Sequence, residues 1–204
     1  MKRVLLTAIG GLLLAATSHA QLSKGQKMLG GELSFTSSEN KNEFFLGEVN
    51  ETSATITPQI GFGLSKNWIA GAGLGYTHLN QKSGSFKFTL NIFTAGVYLR
   101  KFHPFGDKAG VFGQLDLAAG FGKGKETQGG GFPVEEKTDV TTIAGIVSPG
   151  FYYKISKRII LETKFGGLGY STMTSKAEGG EKVNQNEFSF RLTSTLGLGF
   201  QVQL

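Results

Sequence analysis

The chain has 204 residues and no cysteine. A lipid-anchored exported protein needs a cysteine at its cleavage site, and a small secreted scaffold built on disulfides needs several, so we expect neither. The chain is also poor in histidine, since only His78 and His103 follow residue 20. Two distant histidines without cysteine do not make a typical transition-metal site. We therefore expect no disulfide, no metal and no cofactor.

Long apolar runs are scarce as well. Beyond residue 20, no stretch of about eighteen uncharged apolar residues occurs, so the sequence predicts no transmembrane helix. The apolar run at residues 4–16 is shorter than a membrane span, follows the basic Lys2 and Arg3, and precedes the small-residue cleavage pattern at residues 18–20. We therefore predict that residues 1–20 are a cleaved signal peptide and residues 21–204 one exported domain.

Charge of one sign is not concentrated anywhere. The formal net charge is +6, and the 21 basic residues are scattered without a block of five like charges. A nucleic-acid-binding domain carries its basic residues as a patch or stripe. We therefore expect no nucleic-acid partner.

What the chain does have is a regular alternation of apolar and polar residues, together with 31 glycines and 17 phenylalanines. From Phe188 to Leu204, for example, large apolar residues alternate with Ser, Thr, Arg and Gln. Side chains of a β-strand point to opposite faces with period two, so this pattern predicts strands with one apolar face. We predict eight of them, at residues 27–37, 53–65, 68–79, 85–101, 110–122, 140–154, 158–171 and 186–203.

Two barrel architectures share this alternation. A soluble barrel of the lipocalin type points its apolar face inward, whereas a membrane barrel points it at lipid. Small residues crowd the polar face here, as at Gly61, Gly63, Gly71 and Gly73, and they suit the inside of a narrow barrel. Aromatic residues near the strand ends, among them Phe86 and Phe102, fit the two girdles of a membrane barrel. We therefore favour the membrane barrel.

The connections support the same choice. The segments 38–52, 123–139 and 171–185 are long and polar, whereas 65–67 and 155–157 are short. Outer-membrane barrels have short periplasmic turns and longer outer loops. The sequence thus predicts an all-β fold, an eight-stranded antiparallel up-and-down transmembrane β-barrel with both termini in the periplasm and the protein in the cell outer membrane.

Two irregularities in the alternation carry expectations of their own. A repeat unit around Gly167 is lengthened by an odd number of residues, which predicts a β-bulge at Gly166 and Gly167 that restores the register. A similar shift of register is predicted at Ile92 and Phe93, because the apolar residues of the fourth strand occupy even-numbered positions before this point and odd-numbered positions after it.

The chain resembles the small outer-membrane β-barrel domain family, whose fold is that of the OmpA and OmpX transmembrane domains. The resemblance rests on the leader, the run from Pro58 into Ser65-Lys66, the segment 148–153, Tyr98-Leu-Arg100 and the apolar last strand. It implies outer-membrane lipids and the barrel-insertion machinery as partners. We expect a monomer whose loops are the place where an extracellular ligand would bind.

Polar-face charges form the one candidate site inside the barrel. They are three acids and three bases: Glu32, Arg100, Asp116, Glu162, Lys164 and Arg191. A barrel of eight strands encloses only enough room for side chains, and buried charges must be paired. We therefore favour an ion-paired plug with a structural role, and a narrow passive channel is the alternative.

Catalysis is the third alternative, because outer-membrane barrels that modify lipid A exist. Such an enzyme needs a histidine, a hydroxyl and a carboxylate that converge near one rim. His78 is followed by Leu79 and Asn80 rather than by a serine two residues on. We expect a protein that is not an enzyme.

In the first outer loop, Glu43-Phe44-Phe45-Leu46 is expected to extend the hairpin, or else to form a contact surface.

Overall fold

The computed structural model describes residues 24–42, 47–128 and 134–204, and within them the side chains other than those of residues 39–42, 47–48, 128, 134–135, 191–198 and 203. The predicted signal peptide and the segment 43–46 lie outside this part of the chain. Eight strands account for nearly all of the described residues: β1 Lys27–Asn42, β2 Gly47–Ser65, β3 Trp68–Ser83, β4 Phe86–Pro104, β5 Ala109–Gln128, β6 Val134–Lys154, β7 Ile159–Ala177 and β8 Lys182–Gln203. The described residues contain no helix that is long and apolar enough to span a membrane.

The strands form a closed barrel in which each pairs antiparallel with its neighbours in sequence and β1 pairs with β8. This confirms the predicted eight-stranded up-and-down barrel. One end, here called the terminal rim, carries Lys27, the C-terminus and the connections 66–67, 105–108 and 155–158. The other end, the hairpin rim, carries the remaining four connections.

Large apolar side chains point outward in a continuous apolar belt that begins at the terminal rim. On β5, Leu115, Leu117 and Phe121 are 39, 51 and 70% exposed, while their neighbour Gln114 is fully buried. The same alternation occurs on β1, where Leu33 is exposed and Met28 is buried. Only contact with lipid gives so many exposed apolar side chains a favourable environment. The polar, glycine-rich face therefore forms the interior, as predicted.

The strands extend further toward the hairpin rim than predicted, so the predicted long polar loops are too long. The β1–β2 ladder continues to Asn42 and Gly47, the β5–β6 ladder to Gln128 and Val134, and the β7–β8 ladder to Lys176 and Lys182. Outside lipid both faces of a strand can be polar, so the apolar period that marks a strand in the sequence is absent there. Most residues of the predicted loops are therefore strands that project beyond the apolar belt.

The first predicted irregularity is present and the second is not. The β7–β8 register shifts between Phe165 and Gly167, and Gly166 has a φ of 63°, a left-handed conformation that favours glycine. β4, in contrast, pairs with β3 and β5 without any shift at Ile92 and Phe93. The apolar parity changes there because Leu90 points into the barrel, where it is buried.

Candidate functional site

The interior near the terminal rim is filled by one layer of buried side chains centred on Arg100, which we call the plug. The Arg100 side chain is fully buried. Both of its terminal nitrogens donate to the carboxylate of Glu162, at 2.5 Å to Oε2 and 3.1 Å to Oε1. Its Nε donates to Oε1 of Gln114, whose own Nε2 donates to Asp116 Oδ1 at 2.6 Å. Gln201 of the neighbouring strand β8 donates to Glu162 Oε1 at 3.3 Å.

Aromatic rings pack around this ion pair and complete the plug. The guanidinium carbon of Arg100 lies 4.4 Å from the ring centre of Phe112, 5.5 Å from that of Tyr98 and 5.6 Å from that of Phe102. Cation–π attraction of this kind is strongest where water is absent. The remaining members of the layer are Met28, Ile69, Tyr152 and Ile160, all at most 5% exposed.

Glycines on the inner face make room for these rings. A Cβ atom at Gly150 would overlap the ring of Phe112, and one at Gly71 would lie 2.5 Å from two ring atoms of Tyr98. In an eight-stranded barrel the inner face is crowded, so large rings on some strands require glycine on those beside them. The glycine-rich polar face follows from this volume limit.

A second ion cluster lies above the plug, toward the hairpin rim. Nζ of Lys164 is 2.6 Å from Glu32 and 3.7 Å from Asp116. These side chains are 17 to 29% exposed, so water reaches them more than it reaches Arg100. They line a polar cavity of about 340 Å³ together with Thr57 and Gln59.

The structure thus brings five of the six expected charges together in two connected clusters. Arg191 has a side chain outside the described part; its backbone pairs with Gly167 at the bulge. Gln114 links the two clusters through Asp116, and Gln201 joins the plug at Glu162, but neither was among the expected residues. The sequence places both glutamines on the polar faces of their strands. It does not distinguish them from the other polar residues there, because an amide carries no charge that needs a partner.

One aromatic residue belongs to the plug rather than to a girdle. Phe102 was expected among the interfacial aromatics, yet it is 2% exposed and packs edge-on against Tyr152 at 5.0 Å between ring centres. Even-numbered β4 residues point inward throughout, and the parity of Phe102 is that of Arg100. Phe86 also lies outside a girdle, because it has the same inward parity and pairs with Ser83 and Gln128, seven residues beyond the outward Phe93.

His78 lies on the outward face of β3 and contacts an amide. Its Nδ1 is 2.8 Å from Asn91 Oδ1, which also accepts from the hydroxyl of Tyr76 at 2.8 Å. These contacts orient a polar cluster at the upper edge of the apolar belt. Among the residues described, no group of three His, Asp or Glu side chains could hold a metal ion.

The arrangement of the strands matches that of solved membrane proteins. The chain is similar to the translocator domain of the autotransporter NalP from Neisseria meningitidis, at 13% identity and a TM-score of 0.53, over 99% of this chain and 92% of that one. This is the fold of an outer-membrane β-barrel. A major outer membrane protein from Thermus thermophilus is also similar, at 10% identity and a TM-score of 0.51, over 88% of this chain and 99% of that one. No protein-family model and no curated protein sequence matches the chain.

Proposed function

We propose that this chain is an integral outer-membrane protein with a closed barrel, which acts without catalysis through the hairpins that project from the membrane. The observation that carries the proposal is the plug, because Arg100, Glu162 and Gln114 fill the cross-section with side chains that are at most 7% exposed. A leader at residues 1–20 would direct export, and the insertion machinery would assemble the barrel as a monomer. Both termini would then lie in the periplasm.

Strand length supports the role of the hairpins. A tilted membrane strand needs about 9–11 residues, and β5 and β6 have 20 and 21. The excess lies beyond the outward Phe121, at the hairpin rim. Seven residues of β5 after Phe121 reach about 23 Å along the strand at the usual rise. A projecting sheet of this length is suited to contact with molecules outside the cell.

Conductance measurement in a planar lipid bilayer tests the closed barrel. The wild-type protein should insert without steady single-channel steps. A matched variant, R100A/F112A, removes the centre of the plug and should conduct, which shows that the assay detects an open barrel. Steady steps from the wild-type protein would overturn the proposal.

A narrow passive channel is the second candidate, and the cavity beside Lys164 favours it. The cavity reaches from the plug toward the hairpin rim and is lined by hydroxyls, amides and the Lys164 ion cluster. Only the plug then separates it from the terminal rim. If this candidate is correct, replacing Lys164 by Gln should change the ion selectivity of wild-type conductance steps.

Catalysis has weaker support than either candidate. The oxygen nearest to His78 in the described contacts is an amide oxygen of Asn91, which cannot serve as a nucleophile. Deacylation or acyl transfer on lipid A by the purified protein, lost in H78A and kept in H103A, would show that the protein is an enzyme.

Membrane insertion itself is tested on a gel. A barrel folded in lipid vesicles should migrate differently before and after boiling, because its closed hydrogen-bond network resists detergent. The protein should also appear in outer-membrane fractions. Absence of a shift, together with recovery in the soluble periplasmic fraction, would contradict the proposal.

A further inference from the structure

Lysines and glutamates lie on opposite faces of the projecting hairpins, while Asp139 is an acid on the outward face. All lysines of this region whose side chains are described occupy outward positions: Lys82, Lys87, Lys123, Lys125, Lys137, Lys176 and Lys182. The glutamates of these strands with described side chains occupy inward positions: Glu51, Glu126, Glu136 and Glu187. The connections as a whole are acidic in sequence, so the positive outer face arises only from the folded register.

Four of these lysines surround a groove on the outward face of β5, β6 and β7. The groove has a volume of about 540 Å³, and its lining includes Lys123, Lys125, Lys137 and Lys176. Asp139 and Glu178 add two carboxylates, and Asn91 adds an amide. Lys123, Asp139 and Lys176 are direct neighbours across the sheet. The groove therefore offers several ammonium groups beside oxygen and amide groups that hydrogen-bond sugar hydroxyls.

The groove begins directly above the apolar belt. Lys123 follows the outward Phe121 by two residues on the same face, a distance of about 7 Å along a strand. Phe121 stacks with Phe93 at 6.2 Å between ring centres, and Phe93 contacts Tyr76 at 4.9 Å. Such a row of aromatics is typical of the membrane–water interface. The lysines therefore lie at the height of the lipid headgroups and just outside them.

We infer that this groove binds the phosphorylated headgroup of a glycolipid in the outer leaflet. Lysine is a common phosphate ligand, and basic side chains beside a membrane surface attract anionic headgroups. Asn91 and Asp139 lie where they can hydrogen-bond sugar hydroxyls, and the acyl chains of the same molecule lie along the apolar belt below. The inference rests on the proposed insertion of the barrel with its hairpin rim outside the cell.

Binding of two matched lipids to the refolded full-length barrel in detergent micelles tests the inference. The probes are lipid A with both phosphates and lipid A from which the phosphates have been removed. The variant K123Q/K137Q/K176Q removes three groove charges, and K66Q/K108Q/K157Q removes three at the terminal rim. The groove variant should bind the phosphorylated lipid roughly tenfold to a hundredfold more weakly at low salt, and added salt should reduce that difference. The terminal-rim variant should bind like the wild type.

Wild-type affinity in the groove variant, or an equal loss in both variants, would overturn the inference. Inorganic phosphate is the third probe, and displacement of the lipid by micromolar phosphate would assign the groove to free phosphate instead. The heat-dependent mobility shift is measured on every variant, and a single K123Q substitution replaces the triple one if the latter fails to fold. A barrel that inserts but binds alike in all forms refutes this inference alone, whereas a wild-type chain that fails to insert refutes the proposed function.

Discussion

At the scale of single residues, the interior depends on pairing within a fixed volume. Arg100 is fully buried, so its charge is tolerated only because Glu162 and Gln114 accept its hydrogen bonds. The Lys164 cluster is partly exposed, so the cost of leaving one of its members unpaired is smaller. The two ion clusters therefore differ in what they contribute to stability.

Removal of Arg100 alone should destabilise the barrel more than removal of both Arg100 and Glu162. R100M leaves the Glu162 carboxylate buried without its partner and should lower the free energy of unfolding by about 3–5 kcal/mol. The double variant R100M/E162M removes both charges and should recover part of that loss. Urea unfolding of the barrel in lipid vesicles measures both. A double variant less stable than R100M would contradict the ion-pair explanation.

The volume limit gives a second test at this scale. G150A places a methyl group against the Phe112 ring and should destabilise the barrel by about 1–3 kcal/mol. A Cβ atom added at Gly113 would meet no other atom within 4 Å, so G113A is the matched control. It should be neutral or slightly stabilising, since alanine loses less backbone freedom on folding. Equal effects of the two substitutions would show that the inner face is not crowded there.

At the scale of strands, β7 shows how one element presents apolar residues to lipid on both sides of an irregularity. Leu161 and Phe165 point outward before Gly166, and Leu168 and Tyr170 point outward after it, which is a change of parity. In the β6–β7 ladder, β7 has one residue more than β6 between the pairs Gly150–Lys164 and Val147–Leu168, and this extra residue produces the change. The odd spacing of the repeat made this bulge predictable, whereas the slip predicted in β4 failed because Leu90 is an apolar residue that points inward.

The backbone conformation of Gly166 in the bulge leads to a further prediction. Because Gly166 has a positive φ, G166V should lower the free energy of unfolding by about 1–2 kcal/mol. Asparagine tolerates the left-handed region better than valine, so G166N should cost less. Chemical unfolding of the two variants under one set of conditions compares them. An equal loss in both would mean that size, and not backbone conformation, limits this position.

At the scale of the whole molecule, closure depends on a short seam. Within the described residues β1 pairs with β8 only from Met28 to Ser34, whereas it pairs with β2 along its full length. The seam lies at the terminal rim, beside the plug, and Glu32 of β1 forms an ion pair with Lys164 of β7 on the far side of β8. This ion pair therefore links the two sides of the seam from inside the barrel.

A disulfide across the seam tests this closure in a chain that has no cysteine of its own. Leu29 pairs with Val202, and paired Cα atoms about 5.5 Å apart are within disulfide range. L29C/V202C should form an intramolecular disulfide and raise the thermal unfolding midpoint. L29C/V111C joins β1 to β5, four strands away, and should not. Failure of the seam pair to cross-link in the folded monomer would contradict the closed barrel.

The sequence by itself determined the fold class, the number of strands and their ends at the terminal rim. Those properties depend on the alternation of apolar and polar residues and on short turns, both of which involve residues that are close together in the sequence. Only the tertiary structure decided that the polar loops continue as paired strands, because their ladders lack an apolar face to mark them. It also decided that Phe102 and Phe112 point inward to Arg100 and that the lysines share one outer face, since those relations depend on register between residues that are distant in sequence.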